Sequence, residues 1–140
     1  MLGRIFITGA LKNGSADRAG IYKSLVETCS RYSQQIYSPL DSLAFQNMRT
    51  DLYRSMIFAA VARANLLIAE CSVPSLDTGM EIQEAVRINV PMIVVAEAGT
   101  TISKLVQGST NIRQIIYYAN LDDLKYPLAQ ELEDFIAERA

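Results

Sequence analysis

The chain contains no histidine in its 140 residues. That absence removes Ser-His-Asp and Cys-His nucleophile pairs, and with them every histidine-based metal site. Chemistry in this protein has to run on carboxylates, tyrosine, lysine or backbone dipoles. Cysteine is nearly absent as well. Cys29 and Cys71 stand far apart and are expected to be reduced thiols of a reducing compartment, Cys29 on an apolar helical stripe and Cys71 after a strand end. No apolar run approaches bilayer-spanning length. The N-terminus lacks a basic segment leading into a long apolar one, so no signal peptide is expected and the cytoplasm is the expected location. No basic stripe exists, and the formal net charge is −2. Neither nucleic acid nor membrane is therefore an expected partner. Repeats and low-complexity segments are missing too.

What is present is ordinary globular composition, with 50% hydrophobic and 20% charged residues, enough to bury a core in one domain spanning 1–140. Short β-branched runs alternate with helical stripes. Arg4 to Thr8 reads as a buried strand closed by Gly9. Ser15 or Asp17 is placed to cap a helix whose inner face carries Tyr22, Leu25, Val26, Cys29 and Tyr32. Gln35 to Tyr37 is a second strand, and the irregular stretch Leu40 to Thr50 is either a lid or pocket wall or a plain surface connection. Asp51 is expected to cap the next helix. The middle of that helix, Met56 to Ala62, has no polar face, which requires cover on more than one side. The sheet supplies one cover, and a second copy of the chain is the expected other, a homodimer through the helix around Met56 to Val61. Leu66 to Ala69, Pro91 to Ala96 and Ile112 to Tyr117 are three further strands, and Leu121 to Arg139 is an amphipathic terminal helix.

Strands alternating with helices predict an α/β, flavodoxin-like (Rossmann-like) fold: a five-stranded parallel sheet of order 2-1-3-4-5 with helices on both faces. Ligands bind such sheets beyond the carboxyl ends of the strands, at the switch between strands one and three. Three loops reach that place: Gly9 to Ser15, Cys71 to Glu81, and Glu97 to Ser103. In the second, Gly79 permits close backbone approach, Ser75 offers a hydroxyl, and a helix opening near Thr78 presents free N–H groups to an anion. Glu81 has two readings. Thr78 and Glu81 fit the spacing of a capping box; alternatively Glu81 is a catalytic carboxylate held over the pocket. Lys12 reads either as a phosphate ligand or as a solvated lysine.

The combination Phe6-Ile7-Thr8-Gly9-Ala10, Asp17-Arg18, Tyr22, Ala64 to Glu70, and Pro74-Ser75-Leu76-Asp77-Thr78-Gly79-Met80-Glu81 with Ala85 resembles the nucleoside 2-deoxyribosyltransferase superfamily. The nearer branch is that of the 2′-deoxynucleoside 5′-phosphate N-hydrolases and CMP hydrolases. The resemblance covers nearly the whole chain and is most specific in the stretch Pro74 to Glu81. It implies a homodimer that cleaves an N-glycosidic bond without a metal or organic cofactor, with Glu81 as nucleophile at the anomeric carbon. It also implies phosphate binding by Ser75, by Lys12 in place of an arginine, and by Ser103 contributed across the dimer.

This sequence departs from that pattern in three places. Phe6 replaces a tyrosine and Ala10 a serine, so each loses a hydroxyl. Ile57 stands where the family carries a second essential carboxylate, and isoleucine can neither hydrogen-bond sugar hydroxyls nor move a proton. Asp51 lies almost two turns away and cannot substitute on the same helix; Asp77 and Asp41, both expected on loops, are the other candidates. Three functions follow as expectations: hydrolysis of a nucleoside 5′-monophosphate, nucleotide binding with catalysis lost, and base exchange between nucleosides.

Overall fold

The computed structural model describes residues 1–140. Five strands, β1 (Leu2–Thr8), β2 (Ser33–Tyr37), β3 (Leu66–Glu70), β4 (Met92–Glu97) and β5 (Ile112–Tyr118), form one parallel sheet in the order β2-β1-β3-β4-β5. This is the expected 2-1-3-4-5 order. The helices are α1 (Ala19–Cys29), α2 (Thr50–Arg63), α3 (Leu76–Arg87), α4 (Lys104–Gln107) and α5 (Leu121–Arg139). None is long and apolar enough to cross a membrane.

The period-2 geometry of a strand sends alternate side chains to opposite faces, and the core divides accordingly. Ile5, Ile7, Leu66, Ile68, Ile93 and Val95 pack against Tyr22, Leu25 and Cys29 of α1 and Leu124, Leu128, Leu132 and Phe135 of α5. Phe6, Leu67, Ala69, Met92, Val94 and Ala96 pack on the other face against Ile57 and Val61 of α2 and Ile82 and Ala85 of α3. Every residue of the central strand β3 is buried, as expected for a parallel strand covered on both sides.

Local details differ from the sequence reading where two capping patterns compete. Helix α3 begins at Leu76, not at Thr78, because Ser75 takes the cap and accepts the Thr78 backbone N–H. Thr78 is then buried inside the first turn, and the Thr78–Glu81 capping box does not form. Helix α1 is preceded by a two-residue hairpin, Lys12–Asn13 against Ala16–Asp17. Ser15 lies in its turn, Arg18 holds the cap position, and Asp17 accepts the Ala19 N–H at 2.8 Å. Helix α2 starts at Thr50, with Asp51 already inside it. The stretch after β2 contains a 3-10 helix, Pro39–Phe45, closed by a reciprocal Ser38–Asp41 capping box. Asp41 is committed to that cap, accepting the Ser38 N–H at 2.8 Å.

Candidate active site

A cavity of about 330 Å³ opens at the carboxyl end of β1, between the loops that follow β1 and β2 and the helices α2 and α3. It occupies the switch point where β1 lies between β2 and β3. Ile7 to Leu11 form its floor and one side. Tyr37, Pro39 and Ser42 come from the end of β2 and the 3-10 helix, so the stretch after β2 is a pocket wall in part. Tyr53, Arg54, Ile57 and Phe58 come from α2, and Ser75, Asp77, Met80 and Glu81 from α3.

Glu81 faces this cavity because α3 starts early. With Ser75 at the cap, Glu81 lies in the second turn, where its carboxylate reaches across to the end of β1 instead of folding back on its own helix. The Thr8 hydroxyl donates to Glu81 Oε1 at 2.8 Å, and the Thr8 and Thr78 hydroxyls are 3.0 Å apart. Burial pushes the Glu81 carboxyl up to about 7; the Thr8 hydrogen bond opposes that rise and the neighbouring Asp77 carboxylate adds to it. A partly desolvated carboxylate balanced near neutrality and facing a cavity has the character of a reacting group.

The floor loop is fixed from below. Glu70, fully buried at the end of β3, accepts from the Ser72 N–H and Oγ, both at 2.8 Å, from the Tyr118 hydroxyl at 2.5 Å and from Arg18 at 3.2 Å. Arg18 also donates to the Ala10 carbonyl at 3.3 Å, which takes a second bond from the Tyr22 hydroxyl at 2.8 Å. Gly9 threads through this cluster. A Cβ there would lie 2.1 Å from the Tyr22 hydroxyl oxygen and 2.9 Å from Glu70 Cβ.

The candidates named from sequence fall into two groups. Glu81, Ser75 and Gly9 line the cavity, as do two of the three departures, Ala10 and Ile57, and one proposed substitute, Asp77. Lys12 lies on the exposed hairpin, and Ser103 on the exposed loop before α4; neither lines the cavity. Gly79 is exposed, and a Cβ on it would meet nothing within 4 Å, so no neighbour in this chain requires glycine there. Phe6 is buried and stacks flat on Tyr37, with ring centroids 4.7 Å apart. Cys29 is buried in the core, as expected, and its thiol is pushed up to about 12 by burial.

Sequence reading missed Thr8, Tyr37, Tyr53 and Arg54. The spacing of Arg54 and Phe58, one turn apart, carries a signal that they share a helix face, but the apolar run around Ile57 hides which way that face points.

No family model matches the sequence, and no curated protein matches it. Solved structures do. The CMP N-glycosidase BcmB of Clostridium botulinum superposes with a TM-score of 0.69 at 18% identity, over 91% of this chain and 98% of that one. The chain shares its fold. The 2-deoxyribosyltransferase of the psychrotolerant bacterium Bacillus psychrosaccharolyticus gives 0.62 at 14% identity, over 89% and 91%. The solution structure of BlsM gives 0.74 at 14% identity, over 96% and 92%. These likenesses are likenesses of fold, over nearly the whole length of each chain.

Proposed function

We propose that the chain cleaves the N-glycosidic bond of a nucleoside 5′-monophosphate, with Glu81 as the nucleophile. One observation carries this reading: the Glu81 carboxylate faces the switch-point cavity, held by Thr8 and poised near neutral pH. In its ionised form the carboxylate attacks the anomeric carbon as the base departs, forming a glycosyl ester. Water then hydrolyses the ester and releases the sugar 5-phosphate, a two-step retaining scheme. The shared fold with a CMP N-glycosidase and a deoxyribosyltransferase fits glycosidic-bond chemistry on a small nucleotide or nucleoside. At the phosphate end, Ser75 keeps its hydroxyl proton free while its oxygen caps α3, and the first N–H groups of that helix have no carbonyl four residues back. In a homodimer the partner subunit's Ser103 completes the phosphate site, Lys12 reaches toward it from the hairpin one residue beyond the lining Leu11, and the partner covers the outward side of α2 around Met56, opposite the buried Ile57 and Val61.

The deciding experiment is base release. The protein is incubated with ribo- and deoxyribonucleoside 5′-monophosphates and free base is read by chromatography. Release is expected, and Glu81→Gln is expected to lower it on the order of a thousandfold or more. Full activity in that variant sinks the mechanism. A second reading, a nucleotide-binding protein without turnover, is favoured by Ile57, which puts an aliphatic side chain on the cavity wall. It predicts saturable binding by calorimetry with no base released. Exchange instead of hydrolysis would show as transfer of the sugar to a free base added to the same assay.

A further inference from the structure

The α2 wall of the cavity holds a group that none of these roles uses. Arg54 is the one cation among the lining residues. It takes part in no ion pair, and its guanidinium carbon stands 4.2 Å from the centre of the Phe58 ring. Stacking on a phenyl face restrains the plane of the guanidinium while leaving its N–H edge open. The cavity takes in Ser75 at the cap of α3, Glu81 in the second turn of that helix and, on α2, Arg54 with Phe58. At 1.5 Å per residue, Glu81 lies about 9 Å from Ser75 along the helix axis. A nucleotide has three parts, phosphate, sugar and base; with the phosphate at the α3 cap and the anomeric carbon at Glu81, the base is left to the α2 wall, where Arg54 is the cation.

We propose that Arg54 is the base-recognition residue of the cavity and selects bases that carry a ring carbonyl, the oxopyrimidines and 6-oxopurines, over adenine. The inference rests on the hydrolase reading for its kinetic part and on the cavity alone for its binding part. A guanidinium only donates. It satisfies a carbonyl oxygen, whereas the exocyclic amine of adenine turns a donor toward it. The same contact assists departure. When the bond from the anomeric carbon to the base nitrogen breaks, its electron pair stays with the base and spreads onto the carbonyl oxygen. Arg54 stabilises that charge while a Glu81 oxygen bonds to the anomeric carbon, and water later supplies the proton that the free base takes up. With no histidine in the chain and an isoleucine at position 57, the α2 wall offers this cation, next to the Tyr53 hydroxyl, in place of a carboxyl or imidazole acid.

The test has two arms. In the first, base release is compared across CMP, UMP, GMP and AMP and their deoxy forms, for the wild type and for Arg54→Met and Arg54→Lys. The wild type is expected to release oxo bases faster than adenine. Arg54→Met is expected to slow oxo-base release on the order of tenfold to a hundredfold in kcat, with adenine changed far less and Arg54→Lys intermediate. In the second arm, calorimetry on Glu81→Gln reads affinity for CMP against AMP with and without Arg54→Met. The preference for CMP is expected to collapse when Arg54 is lost. Equal slowing of every base, or adenine released as fast as cytosine by the wild type, overturns the proposal and leaves the hydrolase standing. No release from the wild type, with an Arg54-dependent binding preference intact, overturns the hydrolase and the assistance to departure but upholds base recognition. Affinities that ignore Arg54 overturn the proposal in either case.

Discussion

Glu81 meets two opposed demands: a nucleophile has to be ionised, and its surroundings favour the protonated form. Burial lifts its carboxyl to about 7, so base release is expected to rise with pH and reach half its plateau near 7, checked by a kcat/KM profile. The linkage with stability has the opposite slope. The folded pKa lies above the ordinary carboxylate value, so the folded state binds the extra proton between about 4.5 and 7 and loses stability as pH rises through that window. Glu81→Gln removes this loss. The variant is expected to match the wild type below pH 4.5 and to be more stable at pH 8, by up to about 3 kcal/mol, measured by urea unfolding at both pH values. Gly9 gives the contrary case. A Cβ meeting both the Tyr22 hydroxyl and Glu70 makes Gly9→Ala destabilising by about 1–3 kcal/mol, as overpacking does. That Gly9 closes a strand is legible in sequence. That it needs space beside Glu70, sixty-one residues away, is not, because only the sheet brings the two together.

At the scale of elements, the strands and the inward stripes of α1 and α5 were legible because hydrophobic period alone specifies them. Helix starts were less so. The segment from Ser75 to Glu81 contains two cap patterns, Ser-x-x-Thr and Thr-x-x-Glu, and spacing permits both. The chain adopts the earlier one, which buries Thr78 and frees Glu81 for the cavity. Ser75→Ala is therefore expected to cost about 1 kcal/mol in denaturant unfolding and also to weaken binding of a 5′-monophosphate relative to its nucleoside. The junction of β3, β5 and α1 was not legible at all, since Tyr118 and Glu70 close strands forty-eight residues apart and only the folded sheet buries them together and bonds them. Arg18→Met leaves that buried carboxylate without its counter-ion, and a loss of about 3–5 kcal/mol in urea unfolding is expected.

For the whole molecule, the sheet order and the position of the cavity follow from alternation of strands and helices, and both were legible. The wall that α2 contributes was not: within the apolar run Met56 to Ala62, which face turns inward is decided by packing against β1 and α3, not by period. Its outer residues stay partly open in the single chain, with Leu52 at 52% and Met80 of the adjoining α3 at 47% exposure. Sedimentation is expected to show a dimer, and a charge placed there by Ala59→Glu is expected to shift it to monomer and lower activity if the partner completes the phosphate site. The carbonyl of Ala10, tied from two directions by Tyr22 and Arg18, has a consequence for how the empty protein meets its ligand. Fixing a backbone residue costs about 1–2 kcal/mol of entropy, and for the stretch from Gly9 to Leu11 folding has already met that cost. The floor of the cavity is a template instead of a closing lid. Backbone order parameters of Gly9 to Leu11, read by NMR relaxation, should be as high before a ligand arrives as after.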